Sequence, residues 1–514
     1  MKINLLILPL FLGIFNPANA QQAGTLDPTF GTAGLITTSF GPNNETAHAI
    51  AVQADGKIVV AGETYNNSSV VEDFALARYN SDGSLDNTFG TNGFVVTDLQ
   101  QSTDVVKAIV IQPDGKIVVA GHSDNTFNYD FAVARYLANG TLDNSFGTNG
   151  KVIKNFGSTD FGLAMALLPS GKILVAGRAY NGQNADFALI QLNANGTFDN
   201  NFGTAGAIRA DLFGEDESAN AIAVQADGKI VLAGDRYANN ASQFALARFN
   251  PDGSLDLSFS FDGKLSTSIG GLSDVIYAVG IQPNGSIVAA GVSNNISISD
   301  FALARYLSDG TPDITFSGDG QLTTNVVTGG DYASTIAIQS DGKILAGGTA
   351  PGSNSISDFA VVRYLPNGNL DASFGNGGIG LADFAMGRDV ANAMVLHQGK
   401  IVMAGASDKN SQTSFAVARF LVGSSVAVED ILSDSPGFEL FPNPAGELLQ
   451  IRVNGEVSGN IRVVSATGRL MVEMPMLDET MRINVSNWPS GFYFVERRDS
   501  SRVWAARKLL VEHK

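Results

Sequence analysis

Residues 49–79 read AIAVQADGKIVVAGETYNNSSVVEDFALARY. Two apolar runs, Ala49–Gln53 and Lys57–Gly62, flank Asp55-Gly56. An Asp-Gly pair at that place is a hairpin turn, because Gly supplies the positive φ that the turn requires. A third run, Phe74–Tyr79, follows a polar loop. Short β-branched or alternating runs bounded by Gly, Asn and Asp predict strands. The same turn recurs around Gly115, Gly171, Gly228, Gly285, Gly342 and Gly399, at steps of 59, 56, 57, 57, 57 and 57 residues. Seven units therefore fill about 21–423 of the 514 residues.

Upstream of each such core lies a further strand signal. In the first unit it is Leu35–Thr38, preceded by Leu26-Asp27-Pro28-Thr29-Phe30-Gly31. Four strands in each of seven units predict an all-β fold, a seven-bladed β-propeller of four-stranded blades. A solenoid is the competing architecture, but its coils repeat at about half this length with parallel strands. Tight hairpins force antiparallel pairing here. The array opens on a first-strand segment and ends on a fourth strand, Phe415–Phe420. That phase permits either in-register blades or a ring closed by the N-terminal strand.

The Leu-Asp-x-x-Phe-Gly, Asp-Gly-Lys-Ile and Phe-Ala-x-Ala-Arg-Tyr segments, repeated in order, resemble the delta-60 repeat family of bacterial exported proteins. Departures are Gln191 in place of Arg, Asn284-Gly285-Ser286 in the fifth turn, and the shortened His397-Gln398-Gly399 in the seventh. The resemblance implies an exported propeller and supplies no catalytic residues.

The ends of the chain differ from the array. Lys2, the apolar run Leu5–Phe15 and Ala18-Asn19-Ala20 read as a signal peptide, 1–20, cleaved near Ala20. No segment is long and apolar enough to predict a transmembrane span. Residues 424–436 read as a linker and 437–514 as short alternating strands. The motifs Phe441-Pro442-Asn443-Pro444, Gly468-Arg469, Ser490-Gly491-Phe492-Tyr493 and the basic tail near Lys508 resemble the C-terminal sorting domain of the type IX secretion system of the Bacteroidota. That likeness implies that 437–514 is a small β-sandwich that engages the secretion machinery. It also implies that the protein is secreted or held at the outer-membrane cell surface.

Composition excludes several functions. The net charge is −18, and 21–436 holds 21 Lys and Arg against 41 Asp and Glu. So acidic a body repels nucleic acid and anionic lipid. With no Cys there is no thiol nucleophile, thiolate metal site or disulfide. His48, His122, His397 and His513 show no metal-ligand or triad spacing, and no phosphate loop or dinucleotide fingerprint is present.

Three sets of residues remain as candidates. An acidic residue precedes the second strand of every unit: Glu45, Asp104, Asp160, Glu217, Asp274, Asp331 and Asp389. Arg78, Arg135, Arg248, Arg305, Arg363 and Arg419 recur late in the fourth strand. The structural reading joins the two sets in a girdle of ion pairs or hydrogen bonds between blades. The functional reading is a carboxylate ring that binds cations, Ca2+ among them, at the channel mouth; otherwise no cofactor is implied. Catalysis fits neither, since a symmetric ring makes all its sites alike. Asn80–Asp86 resembles a calcium loop faintly but offers too few charged oxygens, and reads as a capped turn. Third, the loops between strands three and four should share one face, with Tyr65, Tyr180 and Tyr237 on it for a glycan or protein ligand. The expectation is a non-catalytic binding or adhesion propeller. The alternatives are a polysaccharide-acting enzyme with its site at the channel, or a structural surface-layer component.

Overall fold

The computed structural model describes residues 22–41, 44–66, 71–295, 298–352, 356–384, 387–409, 412–423, 438–442, 445–453, 457, 459–465, 470–489, 491–498 and 503–511. The leader, the linker and the motif residues Asn443, Pro444, Gly468 and Arg469 lie outside them. Two compact units result, Met1–Gly423 and Ser424–Lys514. Among the described residues every regular element is a strand, and no helix is long and apolar enough to cross a membrane.

The first unit is a ring of seven four-stranded antiparallel blades. Blade 1 runs outward from the axis as Asn44–Val52, Ile58–Asn66, Val71–Tyr79 and Phe94–Thr97. Each blade thus takes three strands from one unit and its outer strand from the next. Blade 7 has no following unit and takes Leu35–Thr38 instead, paired so that Leu35 faces Ala418 and Thr38 faces Phe415. The N-terminal strand therefore closes the ring, which decides the phase left open by the sequence.

Repeated side chains shape the blades. Val59, Ala61, Phe74 and Leu76 of blade 1 pack on Val106, Ile117, Val119 and Ala132 of blade 2, and all are buried. The small residues bring neighbouring sheets into close contact, as interdigitated cores require. The innermost strand of every blade carries a β-bulge, in blade 1 between Ala47 and Ala49 and in blade 2 between Val106 and Ala108. The facing residue is always Gly. A Cβ on Gly121 would sit 1.9 Å from the Val105 carbonyl oxygen. The bulge turns one extra residue per blade toward the axis.

The second unit is a small sandwich. One sheet holds Phe438–Phe441, Leu448–Val453 and Thr480–Asn484; the other holds Leu470–Pro475, Asn460–Ser465, Gly491–Arg498 and Val503–Val511. Leu449, Ile451, Val463, Val495 and Leu509 fill the space between them. Among the sorting-motif residues, Pro442 follows the first strand, Gly491 opens a later one and Lys508 lies in the last. Tyr493 is buried and donates its hydroxyl to the Pro489 carbonyl at 2.7 Å.

Candidate functional site

The arginine and carboxylate sets do not meet, so the girdle that would have joined them is corrected. Each arginine instead takes the Asp of the Leu-Asp-x-x-Phe segment. Arg78 Nε donates to Asp86 Oδ2 at 2.8 Å, and Lys57 Nζ reaches the same oxygen at 2.8 Å. The other oxygen accepts the Thr88 amide and hydroxyl, at 3.1 and 2.6 Å. The guanidinium lies 4.6 Å from the Phe89 ring centroid and donates to the Ala138 carbonyl of blade 2. Arg135–Asp143, Arg248–Asp256, Arg305–Asp313 and Arg363–Asp371 repeat this, and Arg419–Asp27 at 2.9 Å locks the N-terminal segment onto blade 7. In blade 3, where Gln191 stands, Lys172 Nζ at 2.6 Å is the one cation on Asp199 among the described residues, and the Asn201 amide donates to its other oxygen at 3.2 Å. Burial opposes ionisation of Asp86. The hydrogen bonds from Lys57 and Thr88 and the charge of Arg78 outweigh it and hold the carboxyl well below its usual range.

Six of the seven acidic residues lie in the innermost strands and Asp331 lies just before one, each 0–2% exposed. Each accepts a backbone N–H from the loop that arrives from the preceding blade. Examples are Leu99 to Asp104 at 2.6 Å, Phe156 to Asp160 at 2.6 Å, Val326 to Asp331 at 2.9 Å and Phe384 to Asp389 at 2.9 Å. Ile269 donates to Asp274 at 2.8 Å and Phe40 to Glu45 at 3.2 Å. Glu217 takes both Leu212 and Phe213. Burial pushes Glu45 up to about 7, Asp104 and Asp160 to about 6, Glu217 to about 8 and Asp331 to about 7. None of the seven lines the axial channel, so the channel-mouth cation ring is also corrected: these carboxylates anchor loops.

The channel is walled by the bulge residues, which sequence reasoning missed. They are His48, Lys107, Leu163, Asn220, Tyr277, Ser334 and Asn392, around a cavity of about 250 Å3. Beside them stands the residue after Ala-Gly in the second strand: Glu63, His122, Arg178, Asp235, Val292, Thr349 and Ala406. The pair is titratable in part or whole in blades 1–4, while blades 5–7 add no charge. A signal existed in the sequence, because these two columns vary within an otherwise constant repeat. Their direction was hidden until the bulge fixed it. His48 Nε2 lies 2.9 Å from Glu63 Oε1 and 3.2 Å from Lys107 Nζ. Burial lowers the Lys107 ammonium below its ordinary range, against the pull of Glu63 and Glu72. Burial also pushes His122 down to about 3, so that it stays neutral against Tyr129 and Phe161.

On the same face, a cavity of about 500 Å3 opens between blades 3 and 4. Its walls include Phe161, Arg178 and Tyr180 of blade 3 and Asp216, Glu217, Ser218, Asp235, Tyr237 and Ser242 of blade 4. Two of the three expected loop tyrosines therefore meet here, Tyr180 at 38% and Tyr237 at 48% exposure. Tyr65 lies in blade 1, outside the cavity lining. Arg178 is exposed, rests 4.7 Å from the Phe161 centroid and makes no ion pair among the described residues. Asp235 accepts Asn220 Nδ2 at 3.0 Å, and burial raises its pKa.

Residues 53–89, 112–146, 168–202, 225–259, 282–316 and 339–374 match the family described as domain of unknown function (DUF5122) beta-propeller. Residues 439–512 match the secretion system C-terminal sorting domain. The chain carries DUF5122 propeller repeats and a sorting domain. The type IX sorting domain implies handling by the secretion machinery and export to the cell surface or beyond. No curated protein matches the chain. Among solved structures, the chain is similar to virginiamycin B lyase from Staphylococcus aureus, at 11% identity and TM-score 0.42 over 75% of this chain and 98% of that one. It is similar to the β-propeller domain of the Trilobed protease from Pyrococcus furiosus, at 10% and 0.38 over 75% and 97%. A third is Penicillium chrysogenum alpha-L-arabinanase, at 10% and 0.38 over 77% and 97%.

Proposed function

We propose that this DUF5122 protein is a non-catalytic binding propeller of the cell surface or the surrounding medium. Its ligand is a neutral oligosaccharide, bound in the cavity between blades 3 and 4. The signal peptide reading of 1–20 and the Bacteroidota source belong to the same proposal. The observation that carries it is the meeting of Tyr180 and Tyr237 in one cavity with Arg178, Asp235 and Asp216. Tyr side chains offer an apolar face to a sugar ring and a polar tip, at low entropic cost. Carboxylates, a guanidinium and the Ser218 and Ser242 hydroxyls can pair with sugar hydroxyls from both sides. With Asp216 and Asp235 against one Arg178, a neutral sugar fits better than an acidic one. The test is thermal unfolding of the full chain against neutral and uronic-acid oligosaccharides. A ligand of the native state raises the midpoint by mass action. The proposal expects a rise with neutral chains, and a rise with none would end it.

A second reading rests on the channel group. His48, Glu63 and Lys107 form an acid–base set, with His48 Nε2 within hydrogen-bond reach of both partners, that recurs in no other blade pair among the described residues. A lowered Lys beside a His suits proton transfer on a polysaccharide threaded at the axis. Release of new chain ends that stops with His48→Ala would favour this enzyme over the binding protein.

A further inference from the structure

The cavity between blades 3 and 4 is joined to the mouth of the axial channel. Asp235 on its wall accepts Asn220 Nδ2 at 3.0 Å, and the same amide donates to the Ile276 carbonyl of blade 5 at 3.0 Å. Asn220 therefore ties the cavity wall to the backbone beside Tyr277, the bulge residue of blade 5.

Tyr277 departs from its column. Asn220, Ser334 and Asn392 each spend a side-chain donor on a carbonyl of the next blade, those of Ile276, Ala391 and Ala47. The Tyr277 hydroxyl makes no hydrogen bond among the described residues, and the residue is 42% exposed at the channel. Tyr332 of blade 6 braces the ring edge-on, with 6.5 Å between centroids and 63° between planes. Partial burial and, after it, the charge of Asp235 raise the Tyr277 phenol, so the two groups lie within electrostatic reach. A braced, half-exposed Tyr offers a sugar ring an apolar face and a polar tip at low entropic cost. Tyr180 and Tyr237 do the same inside the cavity. Beyond Tyr277 the channel wall continues as Ser334, Thr335 and Asn392, while His48 and Lys107 stand on the other side. A neutral chain running that way meets hydroxyls and an amide, and strips water from no charge.

We infer that a neutral sugar chain seated between blades 3 and 4 runs inward past Asp235 and Asn220 and stacks a further ring on Tyr277, so that the protein selects long neutral chains over short ones. The inference rests on the cavity reading above and narrows its ligand to an extended oligosaccharide. Tyr277 sets the preference for length. Tyr180 and Tyr237 set the affinity for any chain that enters the cavity.

The test is calorimetric titration of the full chain, Tyr277→Ala and Tyr180→Ala with cellobiose and cellohexaose, and with the disaccharide and hexasaccharide of the xylo- and manno-series. The parent should bind a hexasaccharide about tenfold more tightly than the matching disaccharide, the worth of one more aromatic contact. Tyr277→Ala should lose that gain and keep the disaccharide affinity, which also shows that the variant is folded. Tyr180→Ala should weaken both lengths. Equal affinity of the parent for the two lengths, or a gain that survives in Tyr277→Ala, overturns the extension and leaves the cavity standing. Binding of neither length in any series overturns the cavity reading, and the extension with it.

Discussion

At the residue scale, the arginine latch bears the heaviest side-chain duties. Arg135 is 6% and Asp143 8% exposed, and the guanidinium also touches Gln112, Ser145 and the next blade. Truncating one partner of a buried pair leaves the other charge unpaired. Arg135→Ala should therefore cost about 3 kcal/mol in denaturant unfolding, whereas Gln191→Arg should cost nothing or stabilise. The carboxylates set the pH profile. Glu45, Glu217 and Asp331 titrate in the folded state at about 7, 8 and 7, above the values of 4.5, 4.5 and 3.8 for free groups. The native state thus holds protons that the unfolded chain has released, and stability falls as pH rises from about 4 through 8. The latch aspartates are held low instead, so their contribution is lost as pH falls below about 4. Thermal scans should place the highest midpoint near pH 4, with a lower one at pH 8.5.

At the element scale, the bulge opposite glycine decides which residue faces the channel. A Cβ at Gly121 would press on the Val105 carbonyl, so Gly121→Ala should destabilise by about 2 kcal/mol or more. The strands themselves were legible, because Gly-centred hairpin turns, four of them Asp-Gly, and alternating runs are local signals repeated seven times. The channel wall was not. His48 and Lys107 sit in ordinary strand sequence, and only the one-residue register shift turns them inward. The latch was half legible. Arg78 stood out, but its partner Asp86 looked like a turn residue, and nothing local showed that Lys57 and Arg78 converge on it. The tyrosines stood out in the variable segments, yet the meeting of Tyr180 and Tyr237 across blades 3 and 4 depends on the ring.

At the scale of the whole molecule, seven blades form a closed ring because Leu35–Thr38 and Asp27 return to blade 7. A chain lacking residues 22–38 should expose the edge of Gln412–Leu421 and self-associate, with a midpoint lower by on the order of 10 °C by light scattering and thermal scan. Closure gives all blades one scaffold. The acidic body, the sorting domain and the sugar-sized cavity fit an exported binding protein. The most direct test is titration calorimetry of the full chain with the neutral oligosaccharide found most stabilising, repeated with Tyr180→Ala and Tyr237→Ala. Loss of one aromatic contact of about 1–1.5 kcal/mol should weaken binding about tenfold in each variant. Equal affinity in all three chains would contradict the account.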